Sequence, residues 1–157
     1  MRHGSRHLTL LRAAVVGAAL LLGTGCREGD PDPSLRPDSL LRAELGLSDA
    51  DRVHRMSLRG AETERVEPAS VEVAEGEWVE FVSADWRVHA VRFEVDSLEA
   101  PARAFLEGSD QVASPPLVEP DQRFVLSFEG APEGRYPFLV EGNGATARGV
   151  VVVVPRR

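Results

Sequence analysis

At 157 residues, 43% of them apolar, the chain has material for one packed core and little beyond it. Its formal charge is −7, with 18 basic residues, all arginine, against 25 acidic ones, and no basic stripe, which excludes nucleic acid as the expected partner. A single cysteine excludes an internal disulfide, so the fold must stand on its core alone.

The first 26 residues read MRHGSRHLTLLRAAVVGAALLLGTGC. Arg2, Arg6 and Arg12 lead into an apolar run from Ala13 to Leu22, shorter than the ~20 residues that span a bilayer core but suited to the apolar region of an export signal. Small residues then lead to Cys26. That arrangement resembles the lipobox of bacterial lipoproteins, which implies that residues 1–25 are removed, that Cys26 is lipidated, and that the chain is held to the membrane of the cell envelope or periplasm by that lipid. An ordinary secretory signal with an incidental cysteine is the alternative, and it exports the chain equally. Loss of residues 1–25 removes three arginines and no acid, so the exported chain is more acidic still.

The next segment, REGDPDPSLRPDS, alternates prolines with charges and cannot bury enough apolar surface to order itself, so residues 26–50 are expected to form a flexible tether. Within it SLLRAELGL predicts a short helix capped by Ser39 and ended near Gly46, either packed on the domain or decorating the linker. From residue 51 apolar residues alternate, the mark of half-buried strands. His54, Met56 and Leu58 share one side of the first, Val71 and Val73 of the next, and Val79 and Phe81 of a third. Glu75-Gly76 between the last two reads as a hairpin turn. Trp78 has the opposite parity to Val79 and Phe81, which places it outside the sheet or under the N-terminal segment.

Further on, His89, Val91 and Phe93 share a face, then Phe124, Leu126 and Phe128, then Tyr136, Phe138 and Val140. Val150 to Val154 is apolar on both parities, so the last strand should be central or covered on both faces. One region, residues 96–111, breaks the alternation. Leu98, Ala102, Phe105 and Leu106 stand at helical spacing after Ser97, a candidate cap, and predict a helix over 98–107. About seven short strands with one helical insertion predict an antiparallel sandwich.

Two stretches carry a resemblance. VEPASVEVAEGEWVEFVSADWRVHAVRFE is similar to the first half of a plastocyanin-type or azurin-like cupredoxin, and DQRFVLSFEGAPEGRYPFLVEGNGATARGVVVV to its second half; together they cover residues 66–154. The resemblance implies an all-β fold, a cupredoxin-like Greek-key antiparallel β-sandwich with one short helical insertion, over residues 51–157. It also implies where copper ligands would fall. The first histidine matches His89, whose parity points it inward. The cysteine position falls on Val140, the second histidine on Asn143, and the axial methionine near Ala147. A blue-copper centre needs a thiolate with two imidazoles and a weak axial ligand; one ligand of four remains, and Met56 lies on another strand.

Blue-copper electron transfer is therefore not expected, and neither is a cofactor. The alternative is copper held by an unconventional site around His89, with Asp85 or Glu141 as added ligands, in copper handling or electron transfer; His54 has no reason to approach it. A histidine simply buried and hydrogen bonded is the plainer reading of His89. No nucleophile with its base and no phosphate-binding loop marks an enzyme. What remains is a binding module, with Trp86, Arg87, His89 and Asn143 as its rim, joined by Pro115 and Pro116, and an envelope protein or small ligand as its partner. Trp86 has a second possible role, as a plug folded over the vacated metal position.

Overall fold

The computed structural model describes residues 32–156. The export segment, Cys26 and the start of the tether lie outside these residues. The chain enters through a short helix, α1 (Ser39–Leu45), closed by Gly46. Its cap is Asp38 and not Ser39: one Asp38 carboxylate oxygen accepts from the Leu40 and Leu41 N–H groups, both at 3.0 Å. The other oxygen takes the Arg123 guanidinium at 2.7 Å, so the carboxylate serves two purposes that a hydroxyl at Ser39 cannot.

α1 packs on the sandwich. Leu41 and Leu47 are buried with Val53 against Trp78 and Val125, which places Trp78 under the N-terminal segment. The Leu41 N–H and Arg123 hold the Asp38 carboxyl below the usual carboxylate range, so its contribution is present at neutral pH and is lost as the pH falls through that lowered value. Asp38→Ala is expected to cost about 1 kcal/mol and to shift Trp78 fluorescence to the red; an unchanged spectrum and midpoint would show that the cap does not hold the helix down.

Eight strands follow: β1 (Val53–Arg59), β2 (Arg65–Glu67), β3 (Ser70–Ala74), β4 (Trp78–Ser83), β5 (His89–Phe93), β6 (Arg123–Ser127), β7 (Gly134–Gly142) and β8 (Ala147–Val154). They form two four-stranded sheets, ordered β2-β1-β4-β6 and β3-β8-β7-β5. Most pairings are antiparallel as expected, while β1 runs parallel to β4 and β3 parallel to β8. β2 is the strand beyond the seven anticipated. The Glu75-Gly76 turn is present, but it joins no hairpin: β3 and β4 belong to different sheets, so the turn carries the chain across the sandwich.

The alternating residues do meet in the core. Met56, Leu58, Val79, Phe81 and Leu126 from one sheet face Val91, Phe93, Tyr136, Phe138 and Val151 from the other, all essentially inaccessible. β8 lies between β3 and β7, which explains a strand apolar on both parities: Val151 and Val153 point into the core, and Val150, Val152 and Val154 are half-covered on the outside. The hydroxyl of Tyr136 donates to the Pro132 carbonyl at 2.6 Å, and burial pushes its pKa up to about 12. No helix among the described residues is long and apolar enough to cross a membrane.

The helical insertion is α2 (Ala100–Gly108), two residues later at its start than expected. Ser97 does not cap it. Instead Ser97 ends a separate 3-10 turn, Val95–Ser97, where its hydroxyl donates to the Glu94 carbonyl, and Pro101 sits in the first turn of α2, where a missing N–H is harmless. Ala102 and Leu106 are buried on the sandwich, and Phe105 packs against the rings of Phe128 and Tyr136.

Candidate functional site

The pairing registers bring the four ligand positions of the resemblance together at one end of the sandwich. His89 opens β5 opposite Gly142, Val91 pairs with Val140, and Val140 pairs with Ala147. Asn143 lies just past β7. The side chains at these positions are not those of a copper site. Val140 is completely buried among apolar neighbours, Asn143 is exposed, and Ala147 packs on the core. Met56 is fully buried opposite Phe81 in the other sheet.

His89 itself is completely buried, so it lies beneath the rim and not on it. Both ring nitrogens face carboxylates: Nδ1 lies 2.8 Å from Glu64 Oε2 and Nε2 lies 2.9 Å from Asp85 Oδ1. Glu64 is 1% exposed, and sequence reasoning missed it, because it sits in an acidic run that reads as solvated surface. Its second oxygen accepts from the Gly144 N–H at 3.2 Å. Asp85 accepts from the Gly60 N–H at 2.8 Å and from the Arg87 N–H at 2.9 Å. Burial opposes ionisation of Asp85, but these two N–H groups and His89 outweigh it and hold the carboxyl below its usual range.

Glycines let the loops close over the ring. A Cβ on Gly142 would collide with the Glu64 carboxylate and stand 2.5 Å from the Val88 carbonyl oxygen, and one on Gly60 would stand 2.5 Å from Arg87 Cδ and 3.3 Å from His89 Cε1. Only the absence of a side chain at these two positions admits the approach of Glu64 and Arg87. On its outer edge β5 is covered by residues 112–117. The His89 N–H donates to the Leu117 carbonyl at 2.9 Å, and the Leu117 N–H donates back at 2.8 Å.

These residues do not fit a blue-copper centre. The thiolate position is an inward valine, and each nitrogen of the one remaining imidazole already holds a carboxylate at hydrogen-bond distance. Among the described residues no group of three or more His, Cys, Asp or Glu has the arrangement to hold a metal ion. His54 is on β1 in the opposite sheet, 2.7 Å from Glu77, and Glu141 pairs with Arg92, so neither joins His89.

Trp86 is not a plug. It is 77% exposed, while both ring nitrogens of His89 face the Glu64 and Asp85 carboxylates. Beside it Arg87 is exposed, its guanidinium 3.5 Å from the Ala61 carbonyl. Val88 and Val118 are 39% and 42% exposed. The pairing of His89 with Leu117 makes these two valines cross-strand neighbours. Pro115 and Pro116 are exposed on the same covering segment.

No family model matches the sequence, and no curated protein matches it. Among solved structures the chain is similar to an amicyanin variant in its Cu(I) form, with 21% identity, a TM-score of 0.46, and 78% of this chain and 95% of that one covered. It is also similar to a purple cupredoxin from Nitrosopumilus maritimus, with 20% identity, a TM-score of 0.41, and 64% and 99% covered. A third is a copper-containing nitrite reductase from Thermus scotoductus SA-01, with 19% identity, a TM-score of 0.46, and 71% and 24% covered. By its strand order and pairing, the described domain is a cupredoxin-like β-sandwich, and the positions where the resemblance would put metal ligands hold His89, Val140, Asn143 and Ala147, with His89 buried between Glu64 and Asp85.

Proposed function

We propose that this protein is an exported lipoprotein, held to the membrane of the cell envelope through Cys26, whose cupredoxin-like domain acts by binding and not by redox chemistry. The observation that carries the reading is the contrast at one end of the sandwich. Beneath the surface His89 is locked between two carboxylates, while on the surface Trp86, Val88 and Val118 stand out to solvent. Three of the five large apolar side chains exposed among the described residues are gathered there, and exposed aromatic and apolar residues beside an arginine are what interfaces favour. Arg87, Asn143, Pro115 and Pro116 complete the rim. The partner is an envelope protein or a small ligand, and the acidic charge turns away nucleic acid.

The competing reading is copper handling at His89. Titration of Cu(II) and then Cu(I) into the full-length chain, followed by calorimetry and absorption, separates the two. The expected result is no specific uptake and no rise in melting temperature, since a ligand that binds only the native state must raise it. Tight one-to-one uptake lost in His89→Ala would replace the binding-module reading with a copper protein. Site-specific photocrosslinkers at positions 86 and 118 in intact cells test the rim, with position 135 as the control. A product seen at 86 and 118, absent at 135 and lost from the probe at 118 when Trp86→Ala is added supports it; equal labelling at all three positions overturns it.

A further inference from the structure

We infer that His89 is held as an imidazolium between Glu64 and Asp85, and that this ion cluster, in place of a metal, fastens three loops to the end of β5. The inference rests on the donors and acceptors around the ring. Asp85 has both oxygens engaged as acceptors, Oδ2 from the Gly60 N–H and Oδ1 from the Arg87 N–H. A proton on that carboxyl would face another N–H, so Asp85 is ionised and the proton between it and Nε2 belongs to the ring. Glu64 accepts from the Gly144 N–H on one oxygen and faces Nδ1 with the other.

Its side chain is completely inaccessible. A carboxylate so placed requires a cation in contact, and the only ion pair Glu64 makes among the described residues is with His89. A ring that donates from both nitrogens is the imidazolium and no other form. The remaining charged groups of the packed elements do not compete for it. Arg87 lies across Gly60 with its guanidinium turned to Ala61. Glu141 is engaged by Arg92. Arg59, Glu62 and Glu119 make no hydrogen bond or ion pair with the ring.

The geometry gives the cluster a mechanical role. Gly60 and Glu64 belong to the β1–β2 loop, Asp85 to the β4–β5 loop and Gly144 to the β7–β8 loop. Each loop is tied to the ring by a carboxylate or by a backbone N–H that the carboxylate accepts. The β4–β5 loop also carries Trp86, so the position of the rim follows from the charge on one buried side chain. The inference holds whatever the rim binds.

The test is long-range proton–nitrogen correlation on the full-length chain labelled at histidine, at neutral pH. Both ring nitrogens of His89 are expected to carry a proton; one bare nitrogen, as in a neutral ring hydrogen bonded to an un-ionised Glu64, overturns the inference. The fastening role has its own readout in His89→Gln. Amide exchange at Gly60 and Gly144 is expected to rise at least about tenfold relative to the core amide of Phe138, because the loops lose their anchor while the sheets keep theirs. Equal acceleration at all three, or none, overturns the fastening.

Discussion

Replacing His89 with leucine is expected to cost about 3–5 kcal/mol, because it removes the cation from between two carboxylates and leaves one of them buried without a partner. The two acids do not share that cost equally. Asp85 has a side chain 30% exposed and keeps its Gly60 and Arg87 N–H donors, so water and backbone can carry its charge. Glu64 is sealed, with only the Gly144 N–H at 3.2 Å left to it. The double variant His89→Leu/Glu64→Leu is therefore expected to recover more than half of the loss, since a buried ion pair replaced by apolar residues of similar size is often neutral or stabilising. Denaturant unfolding of the two variants and the parent decides the matter. A single variant costing less than about 1 kcal/mol would mean that no buried ion pair exists.

Acid should reproduce part of this loss without mutation. The Asp85 carboxyl is held below its usual range in the folded chain. Its unfolded counterpart takes up a proton first as the pH falls, so the stabilisation is full above the ordinary carboxylate range and disappears as the pH drops through the lowered folded value. Asp38 and Asp51, held low chiefly by the Leu41 and Ser48 N–H groups respectively, act in the same direction.

The core was legible in the sequence because it depends on parity, a local property. Every alternating residue from Met56 to Val151 needed only the right face to reach the right place. Pairing is not local, and there the reading stopped. Glu75-Gly76 has the chemistry of a turn whether the next strand folds back or crosses over, so nothing in those two residues distinguishes a hairpin from a change of sheet. Ser39 and Asp38 are both good caps; the choice was made by Arg123, 85 residues away in sequence from Asp38.

The site was half legible for the same reason. His89, Val140 and Ala147 could be placed by their distance from Phe93, Tyr136 and Gly149 within three strands, and the structure brings them together. Glu64 could not, since burial of a charge depends on what closes over it. The signal that was present lay in the glycines. Gly60 follows β1 and Gly142 ends β7, and a Cβ at Gly142 would strike the Glu64 carboxylate and the Val88 carbonyl while one at Gly60 would displace the Arg87 side chain. A carboxylate drawn in between them was the missing step.

Phe138→Ala is expected to cost about 3–5 kcal/mol by a different route, a cavity in the centre of the sandwich. The Phe138 ring is fully buried and stands edge-on to Phe81 at 4.9 Å and to Phe93 at 5.9 Å between centroids. Gly149 lies directly against it, where a Cβ would strike its Cζ, so both sheets close on this one side chain and neighbours have little freedom to fill the hole. Against a total stability of about 5–15 kcal/mol for a domain of this kind, either this change or the loss of His89 removes a large fraction.

The two losses are separable. Phe138 pairs with Phe93, four residues along β5 from His89, or about 13 Å at the rise of an extended strand. Their effects are expected to add within about 0.5 kcal/mol, whereas those of His89 and Glu64 should depart from additivity by well over about 1 kcal/mol. Additive behaviour in the second pair would dissolve the ion cluster into independent contacts. Coupling in the first would mean that the end of the sandwich and its core respond as one body, and that the charge on His89 is felt well beyond the loops it touches.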